Sequence, residues 1–265
     1  MKFWTYWRFI GLLGGLLLFG LLIPVESQAL GESGQVRILQ VRHSGSSWNP
    51  RPQAVSVLAQ EVSFRTSIET STVRDSRDLD APDLFDFPIM MLSGGGMFPR
   101  LPDSQIENLR HFLEAGGFII VDNAGESEGS FVAFDRSVRR MMKRVFPERA
   151  LKPIPSDHVL YRSFFRLDYP SGRNLRKGYM EGISIVNRVA VVYSPNDLGG
   201  AIDRDRFGSW ANDLMPGNEG QRESAIRLGV NLVMYGLCLH YKDDQVHLKY
   251  LLKKRNWRIK PPDNP

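Results

Sequence analysis

Cysteine is almost missing: the 265 residues contain one, Cys238. A single thiol makes neither an internal disulfide framework nor a Cys-rich zinc module, since each needs at least two. A decided charge of one sign is missing as well. The chain carries 34 Lys and Arg against 29 Asp and Glu, and a net charge of +5 is too mild to argue for nucleic acid as a partner. No apolar run reaches the ~20 residues of a bilayer-spanning helix. Internal repeats and coiled-coil composition are absent too, so no pattern specifies an oligomeric state.

What is present begins with an address. Lys2 and Arg8 precede an apolar run from Phe9 to Ile23, Pro24 breaks it, and Ser27-Gln28-Ala29 supplies a small-residue ending. This pattern predicts a secretory signal peptide at residues 1–29, cleaved after Ala29, and a periplasmic protein with no stable membrane anchor. The alternative is an uncleaved inner-membrane anchor through residues 9–25, with the domain still facing the periplasm. The rest divides into one large domain, residues 30–242, and a basic C-terminal helix and tail, residues 243–265.

Along that domain, strand and helix patterns alternate. Gln35 to Arg42 alternates apolar with polar residues, and Phe87 to Leu92 and Phe118 to Val121 are short continuous apolar runs; all three predict strands. Ala54, Val57, Leu58 and Val62 recur at helical spacing. So do Ile106, Leu109, Phe112 and Leu113, which start near Pro102-Asp103 and stop at Gly116-Gly117. A further helix is expected from Ser130 to Val145, then a hairpin-like pair, Ile183 to Val186 and Val189 to Tyr193. A helix around Ile226 to Leu237 and a basic one from Gln245 to Lys254 follow. Strands alternating with helices imply a three-layer α/β fold with a mostly parallel sheet.

In such sheets ligands bind beyond the carboxyl ends of the strands, which directs attention to the loops after them. Ser93-Gly94-Gly95-Gly96 can form an anion-binding nest; it is neither a phosphate loop nor a dinucleotide fingerprint, and the alternative is a tight turn under a neighbouring loop. Asp122-Asn123-Ala124-Gly125-Glu126 places two carboxylates and an amide in the loop after a buried strand, where a carboxylate can act as base or cation ligand; the alternative is that Asp122 caps or braces the next loop. His158, beside Asp157, is a general base or a structural histidine. Ser194, Asn196 and Asp197 end another strand. Asp122, His158 and Asp197 make a conceivable acid, base or metal set, but no spacing such as His-Glu-x-x-His supports it, so no metal and no cofactor are expected. Cys238 falls on the apolar face of a predicted helix and is expected to be buried and inert.

Several segments together resemble a known family. Phe87-Pro88-Ile89-Met90-Met91-Leu92-Ser93-Gly94, Leu101-Pro102-Asp103, Leu113-Glu114-Ala115-Gly116-Gly117-Phe118 and Val121-Asp122-Asn123 come first. Phe134-Asp135-Arg136, Val145-Phe146-Pro147, Ser156-Asp157-His158-Val159-Leu160-Tyr161 and Tyr193-Ser194-Pro195-Asn196-Asp197-Leu198 complete the set. In this order they resemble the bacterial domain of unknown function numbered 4159, over Gln35 to Tyr241. The resemblance implies membership of the class I glutamine amidotransferase-like superfamily, with its flavodoxin-like sandwich. It also implies a partner role beside MoxR-type ATPases and von Willebrand factor A-domain membrane proteins. The superfamily's nucleophilic cysteine does not carry over: Asn123 stands in its place, and an amide nitrogen is not a nucleophile at neutral pH.

The expectation is therefore an exported, noncatalytic amidotransferase-like module. It binds a membrane-associated partner protein or a small ligand through Ser93, Gly94, Gly95, Asp122, Asn123, His158, Ser194, Asn196 and Asp197. The alternative is a hydrolase or metal-dependent enzyme using Asp122, His158 and Asp197, which requires those three side chains to converge.

Overall fold

A continuous apolar run buries both faces of a strand, so it needs cover on both sides. A computed structural model of the chain, describing residues 34–45 and 47–238, supplies that cover. The expected leader at 1–29 and the basic helix at 245–254 lie outside the described residues. The elements run β1 (Ile38–Val41), α1 (Ala54–Arg65), β2 (Asp75–Arg77), β3 (Ile89–Gly94), α2 (Asp103–Glu114), β4 (Phe118–Asn123) and α3 (Glu128–Val145). Then come β5 (Lys152–Pro153), β6 (Glu181–Ile185), β7 (Arg188–Ser194), α4 (Leu198–Ile202) and α5 (Glu219–Leu237). The seven strands form one sheet in the order β2-β1-β3-β4-β7-β6-β5.

The sheet is mostly parallel. β1 pairs in parallel with β2 and β3, β3 with β4, and β4 with β7. The antiparallel part is the predicted hairpin of β6 and β7, extended by β5. Its turn contains Val186 in the left-handed region at φ 54°. Successive side chains of a strand point to opposite faces, and β4 shows it: Phe118 and Ile120 pack with α1, α4 and α5, while Ile119 and Val121 pack with α2 and α3. Two cores result, one on each face, and the architecture is the expected three layers.

Helix limits follow local chemistry. α3 begins two residues before the predicted Ser130, because Ser127 caps it: the Ser127 hydroxyl accepts from the Ser130 N–H at 3.1 Å, and Ser130 Oγ accepts from the Ser127 N–H at 3.0 Å. α2 ends before Gly116, whose φ of 115° suits glycine. Short β2, β5 and α4 carry too few residues to show a period.

One expectation is corrected. Cys238 is exposed, not buried. It follows the last residue of α5, and two residues earlier Gly236 already lies against Phe118 and Ile89, the first residues of β4 and β3. The helix has run past the end of the sheet, and the described residues leave the thiol uncovered. Among the described residues no helix is long and apolar enough to cross a membrane.

Candidate functional site

The period of two separates neighbours that sequence places together. Asp122 points toward α1 and α4, Asn123 toward α3. Asp122 is fully buried; its Oδ1 accepts from the Leu198 N–H and its Oδ2 from the Gly199 N–H, both at 2.8 Å. It thus braces the first turn of α4, so neither oxygen faces solvent. Burial, and then repulsion by Asp197, raise its carboxyl from the usual range to about 7, against the two N–H bonds that favour the charged form. Asn123 is equally committed. Its amide donates to the Phe131 carbonyl at 3.0 Å and the Tyr193 hydroxyl at 2.8 Å, and its Oδ1 accepts from the Gly125 N–H at 3.0 Å. Both amide protons are used inside the fold.

Asp197 is the hub of the other polar group. It sits in the left-handed region at φ 55° and caps α4 through the Gly200 N–H, 2.9 Å from its Oδ1. Gly200 must be glycine: a Cβ there would lie 2.3 Å from Asp197 Oδ2. Arg51 grips Asp197 with both prongs, Nε to Oδ1 at 3.1 Å and Nη2 to Oδ2 at 2.7 Å, a bidentate geometry. Arg173 Nε adds a bond to Oδ2 at 2.7 Å. The third prong of Arg51 donates to Asn212 Oδ1 at 3.0 Å. Burial alone would lower the Arg51 pKa, but the bonds to Asp197 and Glu126 raise it above its ordinary value. Over the two guanidiniums lies Glu126: its Oε1 stands 3.3 Å from Arg51 Nη2 and 3.6 Å from Arg173 Nη2. The Arg51 and Arg173 side chains are 8% and 15% exposed, the Glu126 side chain 70%.

The other predicted residues are placed as follows. The Ser93 carbonyl hydrogen-bonds His43 Nε2 at 3.1 Å, and His43 Nδ1 accepts from the Gly45 N–H, so the ring is neutral and donates through Nε2; burial lowers its pKa. A Cβ on Gly94 would strike Phe134, and one on Gly95 would strike Ser47 Oγ. The Gly95 N–H is taken by Ser47 Oγ at 3.1 Å, so these glycines make a tight turn under the 43–50 loop. Asn196 is spent on the 170–177 segment, accepting from the Lys177 N–H at 3.0 Å and donating to the Pro170 and Lys177 carbonyls. Ser194 lies beside Asp122 across the β4–β7 ladder, its hydroxyl buried without a partner in full hydrogen-bonding geometry.

His158 does not join them. Its ring packs on Tyr235, which packs on Phe118 at the start of β4. Asp122 is four residues further along that strand, ~13 Å at strand rise. The structure therefore brings Asp122 to Asp197 and leaves His158 at the opposite end of the sheet. Among the described residues no three His, Cys, Asp or Glu side chains form a group that could hold a metal ion.

Sequence reasoning missed Arg51 and Arg173, and it named Glu126 as a carboxylate after β4 without its arginine partners. Arg51 and Glu126 stand in loops following β1 and β4, as Asp197 does after β7, so the strand-end rule covers their positions. Glu126 lay within a loop already singled out; Arg173, in an irregular segment before β6, gave no signal. A cavity of about 270 Å³ opens to one side, beside Gln40, Trp48, Pro52 and Ser76 at the β1–β2 edge.

No curated protein matches the chain. Residues 37–237 match the family described as "Domain of unknown function (DUF4159)", and the chain belongs to that family.

Proposed function

We propose that the protein is a noncatalytic, amidotransferase-like binding module that engages a partner protein or a small ligand at the crest above the strand ends. The observation that carries this reading is the convergence of two nearly buried arginines, Arg51 and Arg173, on one exposed carboxylate, Glu126, at the mouths of three parallel strands. Catalysis has less support. Asp122 and Asn123 are spent on internal bonds, and His158 packs at the other end of the sheet. The parallel order β2-β1-β3-β4-β7 agrees with a flavodoxin-like, glutamine amidotransferase-like sandwich. Its cysteine position is held by an asparagine that faces α3. On this reading residues 1–29 are an export leader and the module works outside the cytoplasm, accessory to a membrane system of a MoxR-type ATPase and von Willebrand factor A-domain proteins; the apolar run from Phe9 to Ile23 before Ser27-Gln28-Ala29 supports the export.

The test is cross-linking and co-purification from bacterial membranes with the tagged full chain, in native form and as Arg173→Gln, each checked for fold by thermal melting. A partner retained by the native chain and lost by the folded variant is expected. Equal capture by both, or glutamine hydrolysis by the native protein, overturns the reading.

A further inference from the structure

Charge at the crest is divided unevenly between inside and outside. Two guanidiniums, Arg51 and Arg173, share ion-pair contact with one buried carboxylate, Asp197, and the next buried carboxylate, Asp203, acts on Arg51 only at longer range. The balancing charge is the exposed Glu126, and it fits poorly. One of its oxygens serves both cations, at 3.3 and 3.6 Å, and the second distance is beyond a hydrogen bond. The ordinary length for a guanidinium–oxyanion bond is 2.7–2.9 Å, which Asp197 achieves with the same two residues on their inner side.

The backbone that carries Glu126 is held independently of its side chain. Arg176 Nη2 donates to the Gly125 and Glu126 carbonyls at 3.3 and 3.2 Å, and Arg176 Nη1 pairs with Glu128 at 3.0 Å. Glu126 is thus a carboxylate on a fixed backbone, free to swing off the two arginines into water without disturbing the loop.

We infer that Glu126 is an intramolecular stand-in for an oxyanion of the ligand, a carboxylate or a phosphate, which displaces it and binds Arg51 and Arg173 from the solvent side. This rests on the crest being the binding surface and names the chemistry that surface takes. Surrounding charges limit the site to a singly compensating anion. Asp197 and Asp122 lie beneath it, Asp203 and Asn212 flank Arg51, and Glu128 is occupied by Arg176.

The experiment uses the purified full chain as native, Glu126→Gln and Arg173→Gln proteins, melted against rising inorganic phosphate or acetate with ionic strength held constant by sodium chloride. Binding to the native state raises the melting temperature. Removing the competing carboxylate is expected to tighten anion binding about fivefold, the scale of an exposed ion pair released. Arg173→Gln should reduce it to the chloride baseline. Acetate acting as well as phosphate identifies a carboxylate ligand, and phosphate alone a phosphorylated one. The inference is overturned if neither anion stabilises Glu126→Gln above chloride, or if all three proteins respond alike. Partner capture that survives such a result leaves the binding function standing without the anion. Anion binding with no partner captured does the reverse.

Discussion

The two sides of the sheet at the end of β4 make a natural experiment. On the α4 side, Asp122 and Asp197 are buried carboxylates held by N–H groups and two arginines. On the α3 side, Asn123 ties a neutral knot between the Phe131 carbonyl, the Tyr193 hydroxyl and the Gly125 N–H. Both sides are nearly sealed, and the Asp122, Asp197 and Asn123 side chains are all hydrogen-bonded. The difference is that the charged side needs long-range partners whose charges must balance, and its balance ends at an exposed residue. The knot around Asn123 carries no charge of its own, and the carboxylate that its Tyr193 hydroxyl meets, Asp135, is paired beside it with Arg139. Charge left over at the rim is what a ligand can use, and that charge lies on the α4 side.

The sharpest way to break the contrast is to remove the hub. Asp197→Ala leaves Arg51 and Arg173 buried without their shared anion, and removing one member of a buried ion pair typically costs about 3–5 kcal/mol. Urea unfolding should show the midpoint falling accordingly. A loss below about 1 kcal/mol would mean the arginines reach solvent more easily than their burial implies.

Asp122 tests the same side through pH. Its native pKa, about 7, lies above that of the unfolded chain, so the native state binds this proton more tightly. Its contribution is full below pH ~4 and is lost as pH rises through about 7, by up to about 4 kcal/mol. Asp122→Asn should remove that slope from the difference between variant and native stability curves, while itself costing about 1–3 kcal/mol because an amide proton would face the α4 N–H donors. A difference curve flat from pH 4 to 8 would show that the N–H bonds outweigh burial.

The neutral side predicts a smaller effect without pH dependence. Asn123→Ala removes the amide's bonds to the Tyr193 hydroxyl, the Phe131 carbonyl and the Gly125 N–H, for about 1–3 kcal/mol at every pH between 4 and 8. Asn123→Cys should show no glutaminase activity in an ammonia-release assay, since the thiol would face α3, where both ring nitrogens of the neighbouring His43 are already bonded, to the Ser93 carbonyl and the Gly45 N–H. Hydrolysis by that variant would return the amidotransferase chemistry to consideration.

Smallest of all is Cys238→Ser, expected within about 0.5 kcal/mol of the native protein because the residue is exposed past the end of α5. The native thiol should react with a maleimide as fast as in denaturant.

Much of the fold was legible in the chain. The apolar runs at Phe87 and Phe118, the helical stripe at Ile106 to Leu113 and the Gly116-Gly117 stop are local patterns, and each fell where the structure has the corresponding element. α4 was not legible: its five residues, Leu198-Gly199-Gly200-Ala201-Ile202, are too short for a period, and it is held by Asp122, 76 residues earlier. Cys238 misled because an apolar face says a residue belongs to a stripe, not where the sheet beneath it ends.

For the site, sequence determined where to look and which residue types stood there, because strand-end loops and their polar residues follow from local period and punctuation. Only the tertiary structure decided which of them meet. Asp122 and Asn123 adjoin in the chain and part to opposite faces, since side chains alternate along a strand. His158 is drawn to Tyr235 at the far end of the sheet. Arg51 is joined to Asp197 across 146 residues and to Glu126 across 75. Pairings of that range are set by how the strands order themselves in the sheet, and no local pattern encodes that order.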